Sequence, residues 1–431
     1  MRKRFNQFFE SNLLFQGLDR RISLNTFSLL IIYGLNFGIS LLTLPHLIKN
    51  FGIEKWGIIV FYQIILNYLI WLIDWSFNQY SAKFISIFSD NLSEQKKIFT
   101  ETKSAQLILT LISLLLSILI LSFLNNLNLF LSFSLILIGN YLNSFWFLNG
   151  IEKIYESALL QLFNKCFFAY FILTLINQNS EINKYFLFYG FSNLITGLIC
   201  QFLISYKYSI KIKIVSLKKG LNTLKKSSKL FLSSIVGSII NSSIPLLINF
   251  SLGNKQLGIY NIADRIKGIS VQLAHPLSHS IYPRMAKEYN KDKALGNKLL
   301  KKVLGLLLIV TFIGFILINI FIKEIIGYFS NENILTISIV LRILLISFII
   351  NVIEEIMVNH YLVPNGLYNS INKIKISILL TSLISCLPLI YLFGIKGAAI
   401  ANLMSELVGL SYIIYVYKAT KRIEHKHQSF S

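Results

Sequence analysis

The chain contains few charged residues for its length. Only 14% of its 431 residues are Asp, Glu, Lys or Arg, and 54% are hydrophobic. A soluble domain carries about 25% charged residues. With a mean hydropathy of +0.63, the chain has too few polar side chains to cover a water-soluble globule. The low charge therefore excludes a soluble domain and a disordered chain, and it indicates a polytopic helical membrane protein.

Cysteines and catalytic motifs are also scarce. The three cysteines, Cys166, Cys200 and Cys386, lie in apolar segments without CxxC spacing, so they indicate core residues and not a redox or metal site. The sequence contains no GxxxxGK[ST] loop for ATP, no HExxH and no GxSxG. We therefore expect a membrane transporter without an ATPase of its own, no enzyme, no cofactor and no metal ion.

Long apolar runs are what the sequence does have. A spanning helix needs about 20 apolar residues, because each residue advances about 1.5 Å through about 30 Å of hydrocarbon. No run alternates with period two as a β-barrel strand would. The predicted spans are 23–48, 57–79, 106–124, 129–150, 158–177, 185–206, 230–250, 258–282, 303–322, 335–358, 376–393 and 397–417.

The basic residues predict the orientation of these spans. If the N-terminus is cytoplasmic, 31 of the 41 Lys and Arg residues lie in cytoplasmic tails and loops. The positive-inside rule favours this arrangement, so both termini are expected in the cytoplasm. The net charge of +22 then reflects loops that contact anionic membrane lipids, and we expect no nucleic-acid partner.

The Lys-rich segment 207–229 divides the spans into two sets of six. Pro45 and Gly57 in the first hairpin have counterparts in Pro245 and Gly258 about 200 residues later, although Pro and Gly also mark ordinary helix ends. We expect two pseudo-symmetric six-helix lobes around a central cavity. The predicted segments are a cytoplasmic N-terminal segment 1–22, a first lobe 23–206, a basic cytoplasmic linker 207–229, a second lobe 230–417 and a cytoplasmic tail 418–431.

Ionisable residues inside the spans are candidate functional residues, because each costs about 2.5–3.5 kcal/mol at a helix centre. Asp264 and Lys267 are spaced to neutralise each other on one helix face, which leaves Arg265 as the freer cation. Arg265 and Arg342 would give the second lobe a positive interior, and the planar guanidinium suits phosphate. Lys165 lies near a helix end, where it could also extend to the membrane surface.

Four carboxylates are candidates for coupling transport to an ion gradient: Asp74, Asp264, Glu355 and Glu406. Glu406 lies mid-span with no cation nearby in sequence, whereas Glu355 approaches the inner interface. For Asp74 a structural interpretation is equally open, in which it pairs with Lys83.

Five segments carry recognisable patterns of Gly, Pro, aromatic and charged residues: Asn36 to Gly57, Asp74 to Ser86, Leu252 to Lys267, Pro276 to Met285, and Gly394 to Glu406. Together they resemble the O-antigen flippases, the polysaccharide transporters of the multidrug/oligosaccharidyl-lipid/polysaccharide exporter superfamily. In this sequence, Lys83 stands where that family usually has Arg, and Ser76 where Gly is frequent.

The resemblance implies a flippase that moves an undecaprenyl-diphosphate-linked oligosaccharide, an O-antigen repeat unit, across the bacterial cytoplasmic (inner) membrane. It also implies alternating access, coupling to a proton or sodium gradient, and a polysaccharide polymerase with its chain-length machinery as partners. The expected substrate-binding residues are the cations Arg265, Arg342, Lys267, Lys165 and Lys83. Sugar contacts would come from polar residues such as Asn36, Gln63, Asn67, Asn143 and Asn241.

Two other functions remain open from the sequence. A multidrug exporter of the same superfamily would bind organic cations, and its site should be acidic and aromatic. An integral-membrane glycan-processing enzyme is disfavoured, because the longest outer loop, about 323–334, is too short for a catalytic domain.

Overall fold

A computed structural model describes residues 20–213, 217–291 and 293–428. Throughout these residues the regular secondary structure is helical, without a strand, which confirms the all-α class. The first 19 residues of the predicted N-terminal segment lie outside the described part of the chain.

The helices of the first half are α1 (Arg20–Asp74), α2 (Tyr80–Ile87), α3 (Leu92–Phe123), α4 (Phe130–Leu142), α5 (Phe145–Gly150), α6 (Ile154–Leu175) and α7 (Ile182–Tyr208). Those of the second half are α8 (Leu217–Leu252), α9 (Asn254–Lys291), α10 (Lys293–Ile320), α11 (Ile322–Phe329), α12 (Ile334–Met357), α13 (Tyr368–Phe393) and α14 (Ile395–Gln428). A π-helical turn, Val358–Leu362, follows α12.

Within the described residues, ten helical segments are long and apolar enough to cross a membrane. The difference from twelve predicted spans arises at two places. The first two predicted spans are counted as one, because α1 joins two helices across a kink at Gly52 in their connecting loop. The span predicted at 258–282 lies on α9, which is helical over that range but carries Asp264, Arg265 and Lys267 and is not among the ten.

Two glycines break helices at equivalent places in the two halves. Gly52 interrupts α1 with φ of 77°, and Gly253 separates α8 from α9 with φ of 84°. A positive φ is open to glycine without steric cost, so each glycine permits a sharp change of direction. The two positions are 201 residues apart, in agreement with the internal similarity of the sequence.

The described chain forms two compact units by its internal contacts. Unit 1 contains the described residues up to Phe51 and Tyr62–Ser234, and unit 2 contains Gly52–Phe61 and the described residues from Ile235 onward. In unit 1 a buried cluster that includes Phe77, Phe99, Trp146 and Ile204 joins the ends of several helices. In unit 2 the corresponding cluster includes Phe348 and lies among α9, α10, α12, α13 and α14.

Close backbone packing holds the segment Gly52–Phe61 against the start of α9. A Cβ atom on Gly57 would lie 1.8 Å from the Asn254 carbonyl oxygen, and one on Gly258 would lie 2.2 Å from the Ile53 carbonyl oxygen. Glycine is the residue that lets two helix backbones approach so closely. Adding 201 to the numbers of Ile53 and Gly57 gives Asn254 and Gly258, so the contact is itself pseudo-symmetric.

Candidate functional site

Unit 2 contains a polar cavity of about 400 Å³ among apolar helices. It is lined from α8, α9, α12 and α14, and Phe348 and Pro245 provide part of its apolar wall. The polar and charged residues that line it are Asn241, Tyr260, Asp264, Lys267, Ser347, Asn351, Asn402 and Glu406.

Hydrogen bonds and one ion pair order this lining. The ammonium of Lys267 lies 3.0 Å from the Asp264 carboxylate, so the spacing-based expectation of an ion pair is met. Asn351 donates its amide to Glu406 Oε2 at 3.4 Å, and Ser347 Oγ donates to Asn402 Oδ1 at 2.9 Å. With two carboxylates and one ammonium, the lining is not cationic.

A second glutamate lies behind the lining. Glu354 is 6% exposed and interacts with the Glu406 carboxyl group. A Cβ atom on Gly409 would lie 2.4 Å from Glu354 Oε1, so the absence of a side chain at Gly409 makes room for this carboxyl group. Because like charges repel, two interacting carboxyl groups are most stable when one is protonated.

The sequence predicted a role for the neighbouring Glu355 and none for Glu354. Glu355 is half-buried and is not one of the cavity-lining residues. Helical periodicity could not have distinguished the two, because Glu354 and Glu355 follow Asn351 at i+3 and i+4, which both lie on one helix face.

Unit 1 contains a separate buried charge, Lys103, between the predicted spans 57–79 and 106–124. Lys103 on α3 is fully buried, donates to the Tyr141 carbonyl oxygen, and lies 4.8 Å from the centre of the Tyr141 ring. It also interacts electrostatically with Asp74, which accepts a hydrogen bond from Asn140 at 3.1 Å. Lys103 precedes the predicted third span by three residues, whereas α3 begins eleven residues earlier at Leu92.

Comparison with known proteins places this arrangement in a family. A family model described as "Polysaccharide biosynthesis protein" matches residues 22–289, more than half of the chain. The chain belongs to the polysaccharide biosynthesis protein family. Two proteins that are similar to this chain are named "Putative O-antigen transporter". The one from Escherichia coli (strain K12) is 24% identical and covers 92% of this chain and 97% of its own. The one from Shigella dysenteriae is 22% identical, and the match covers 92% of this chain and 99% of that relative.

Solved structures show the same fold. The lipid II flippase MurJ in an inward closed conformation has a TM-score of 0.73 at 15% identity, with 90% of this chain and 87% of that chain covered. An inward-facing multidrug resistance MATE family transporter of the MOP superfamily has a TM-score of 0.66 at 13% identity. The match covers 91% of this chain and 95% of that chain. The chain therefore has the two-lobed helical fold that we expected. The two relatives described above are named as transporters and not as enzymes.

The structure separates the cations expected to bind substrate. Lys267 lines the cavity, whereas Arg265, Arg342, Lys165 and Lys83 are exposed and do not line it. Arg342 lies on the side of α12 roughly opposite Asn351, because nine residues turn a helix through two and a half turns. Phosphate binding by Arg265 and Arg342 therefore stays a prediction, and it concerns surfaces outside this cavity.

The remaining residues that were predicted to have a functional role are divided between the two units. Asp74 accepts a hydrogen bond from Asn140 and interacts electrostatically with Lys103, whereas Lys83 is exposed on α2. Of the residues proposed to contact sugar, Asn241 lines the cavity and Gln63 donates to the Tyr185 hydroxyl. Asn67 is exposed and Asn143 is buried. The side chain of Asn36 lies outside the described residues.

Proposed function

We propose that this protein translocates an undecaprenyl-diphosphate-linked oligosaccharide from the inner to the outer leaflet of the bacterial cytoplasmic membrane. The observation that carries the proposal is the match over 92% of the chain to relatives named as putative O-antigen transporters. The likeness in fold to a lipid II flippase supports a lipid-linked substrate. Alternating access follows as the mechanism, because a polar headgroup crosses hydrocarbon only if it is shielded from it.

Deletion of the gene in its host tests the proposal directly. We expect loss of long-chain surface polysaccharide and accumulation of lipid-linked repeat units on the cytoplasmic leaflet. Complementation with the intact gene should reverse both effects. Intact polysaccharide in the deletion strain would contradict the proposal.

The same strain tests the phosphate-binding role of the arginines. Arg265→Ala and Arg342→Ala should reduce translocation at normal protein levels, because both side chains are exposed and contribute little packing. Lys396→Ala, at an exposed position in the last predicted hairpin, is a matched control that should retain wild-type polysaccharide. Unchanged polysaccharide in both arginine variants would exclude a diphosphate contact by either residue.

We place ion coupling on the Glu354 and Glu406 carboxyl groups. Protonation of one relieves the repulsion between them, so a proton gradient can favour one conformation. Glu406→Gln should therefore abolish the pH dependence of transport in reconstituted vesicles, whereas Glu332→Gln, an exposed carboxylate before α12, should keep it. If Glu406→Gln transports with the wild-type pH and sodium dependence, Glu406 is a structural residue.

One observation favours a second candidate function. Asp264, Glu406 and Tyr260 line the same cavity, and carboxylates with an aromatic ring are the groups that bind organic cations. Multidrug export is therefore the alternative. Efflux of cationic dyes from cells that retain normal polysaccharide after deletion would support it.

A further inference from the structure

The cavity of unit 2 has the size of a site for an organic group. A cavity of about 10–15 Å³ already holds one water molecule, and pockets for organic ligands occupy about 300–1,000 Å³. At about 400 Å³ the cavity is much larger than a site for one ion, and it fits one or two sugar rings.

The side chains around the cavity have the chemistry of a sugar site. Three asparagines and a serine provide donors and acceptors without net charge, and Asp264 and Glu406 provide acceptors for hydroxyl groups. Phe348 gives an apolar surface to the carbon-bound hydrogens of a ring. The Lys267 ammonium faces the same space and provides further donors for hydroxyl groups.

The charges further restrict the class of sugar. Lys267 is 3.0 Å from Asp264 and so compensates that carboxylate, while Glu406 has the Asn351 amide and the neighbouring Glu354. The site thus has more carboxyl groups than ammonium groups, and it repels an anionic sugar. A uronic acid is therefore disfavoured, and a neutral hexose or an N-acetylhexosamine is favoured.

We propose that this cavity, lined by Asn241, Asn351, Asn402, Asp264 and Glu406, is a subsite for a neutral sugar of the translocated lipid. The inference rests on the proposed function and adds to it the part of the substrate that unit 2 recognises. Specificity for the repeat unit would then come from unit 2 by hydrogen bonding, separately from capture of the diphosphate.

Binding of defined lipids to the full-length protein in nanodiscs tests the subsite. The probes are undecaprenyl diphosphate alone, and the same lipid carrying N-acetylglucosamine, galactose or glucuronic acid. We expect the two neutral sugars to increase affinity over the bare lipid, and glucuronic acid to bind about tenfold more weakly than they do. The readout is the ratio of dissociation constants, measured by native mass spectrometry.

Two variants remove amide groups from the lining. Asn402→Leu and Asn241→Leu should each weaken binding of the neutral-sugar lipids about fivefold, the effect of about one hydrogen bond. Neither should alter binding of bare undecaprenyl diphosphate. Asn241 is exposed at the cavity, so its variant should fold even if Asn402→Leu does not. Asn319→Leu on α10, outside the cavity lining, is the matched control.

The outcomes separate the subsite from the proposed function. If bare and sugar-bearing lipids bind equally to wild type and variants, the subsite is overturned and the proposed function stands. If the bare lipid fails to bind but the neutral-sugar lipids bind through the asparagines, the subsite stands and the diphosphate contact is wrong. If no lipid binds, both proposals fail.

Discussion

The Lys103 ammonium occupies a position in unit 1 where a charge is costly. Its hydrogen bond goes to the Tyr141 carbonyl oxygen, and it interacts with the Asp74 carboxylate. An ammonium in a low-dielectric interior is tolerated only when it has such partners. Once the partners have formed around it, removal of the charge is more harmful than its presence, because the half-buried Asp74 is then left without this cation.

Replacement of Lys103 by Met tests this dependence. Lys103→Met keeps the length of the side chain but leaves Asp74 uncompensated, so stability should fall by about 3–5 kcal/mol. The measurement is the thermal midpoint of the detergent-purified protein. Lys97→Met, which removes an exposed partner of Glu94 on the same helix, should have little effect. The double variant Lys103→Met, Asp74→Asn should recover part of the loss, and a single variant as stable as wild type would show that Asp74 does not need Lys103.

At the scale of helices, glycines determine where the chain turns and which backbones touch. Gly52 and Gly253 allow the two breaks, and five residues after each break Gly57 and Gly258 allow the contact between α1 and α9. The sequence showed these glycines as a similarity between its two halves. It did not show that the two similar segments pack against each other. Contact between distant segments is a tertiary property that local patterns do not contain.

Gly57→Ala should disrupt this helix contact. The added Cβ atom would lie 1.8 Å from the Asn254 carbonyl oxygen, which belongs to a backbone and cannot rotate away. Overpacking of this kind costs about 1–3 kcal/mol or more, so the melting temperature should fall. Gly305→Ala in α10 is the matched control, because its Cβ atom has no neighbour within 4 Å and Ala favours a helix. Equal stability of Gly57→Ala and wild type would contradict the close packing.

At the scale of the whole molecule, the fold followed from composition and the site only in part. Long apolar runs predicted helices because hydrocarbon leaves no other partner for backbone groups. The role of α9 in the cavity was indicated by Asp264 and Lys267, which one helix brings together. Glu354 and Lys103 were missed, because their partners Glu406 and Tyr141 are distant in sequence. Ser76 adopts φ of 60°, a backbone detail that composition cannot reveal.

The orientation of the whole chain is a separate prediction from the basic residues. Transfer of a Lys-rich loop across the membrane is unfavourable during insertion, so the segment with Lys229 should stay cytoplasmic and the one with Lys255 should lie outside. Both lysines are exposed, and replacement of Cys166 by Ser leaves two buried native thiols, Cys200 and Cys386. In that background, a membrane-impermeant maleimide added to spheroplasts should label Lys255→Cys at once. Lys229→Cys should be labelled only after the membrane is opened. The reverse pattern would invert the topology and place the basic linker outside, where anionic lipids of the inner leaflet could not bind it.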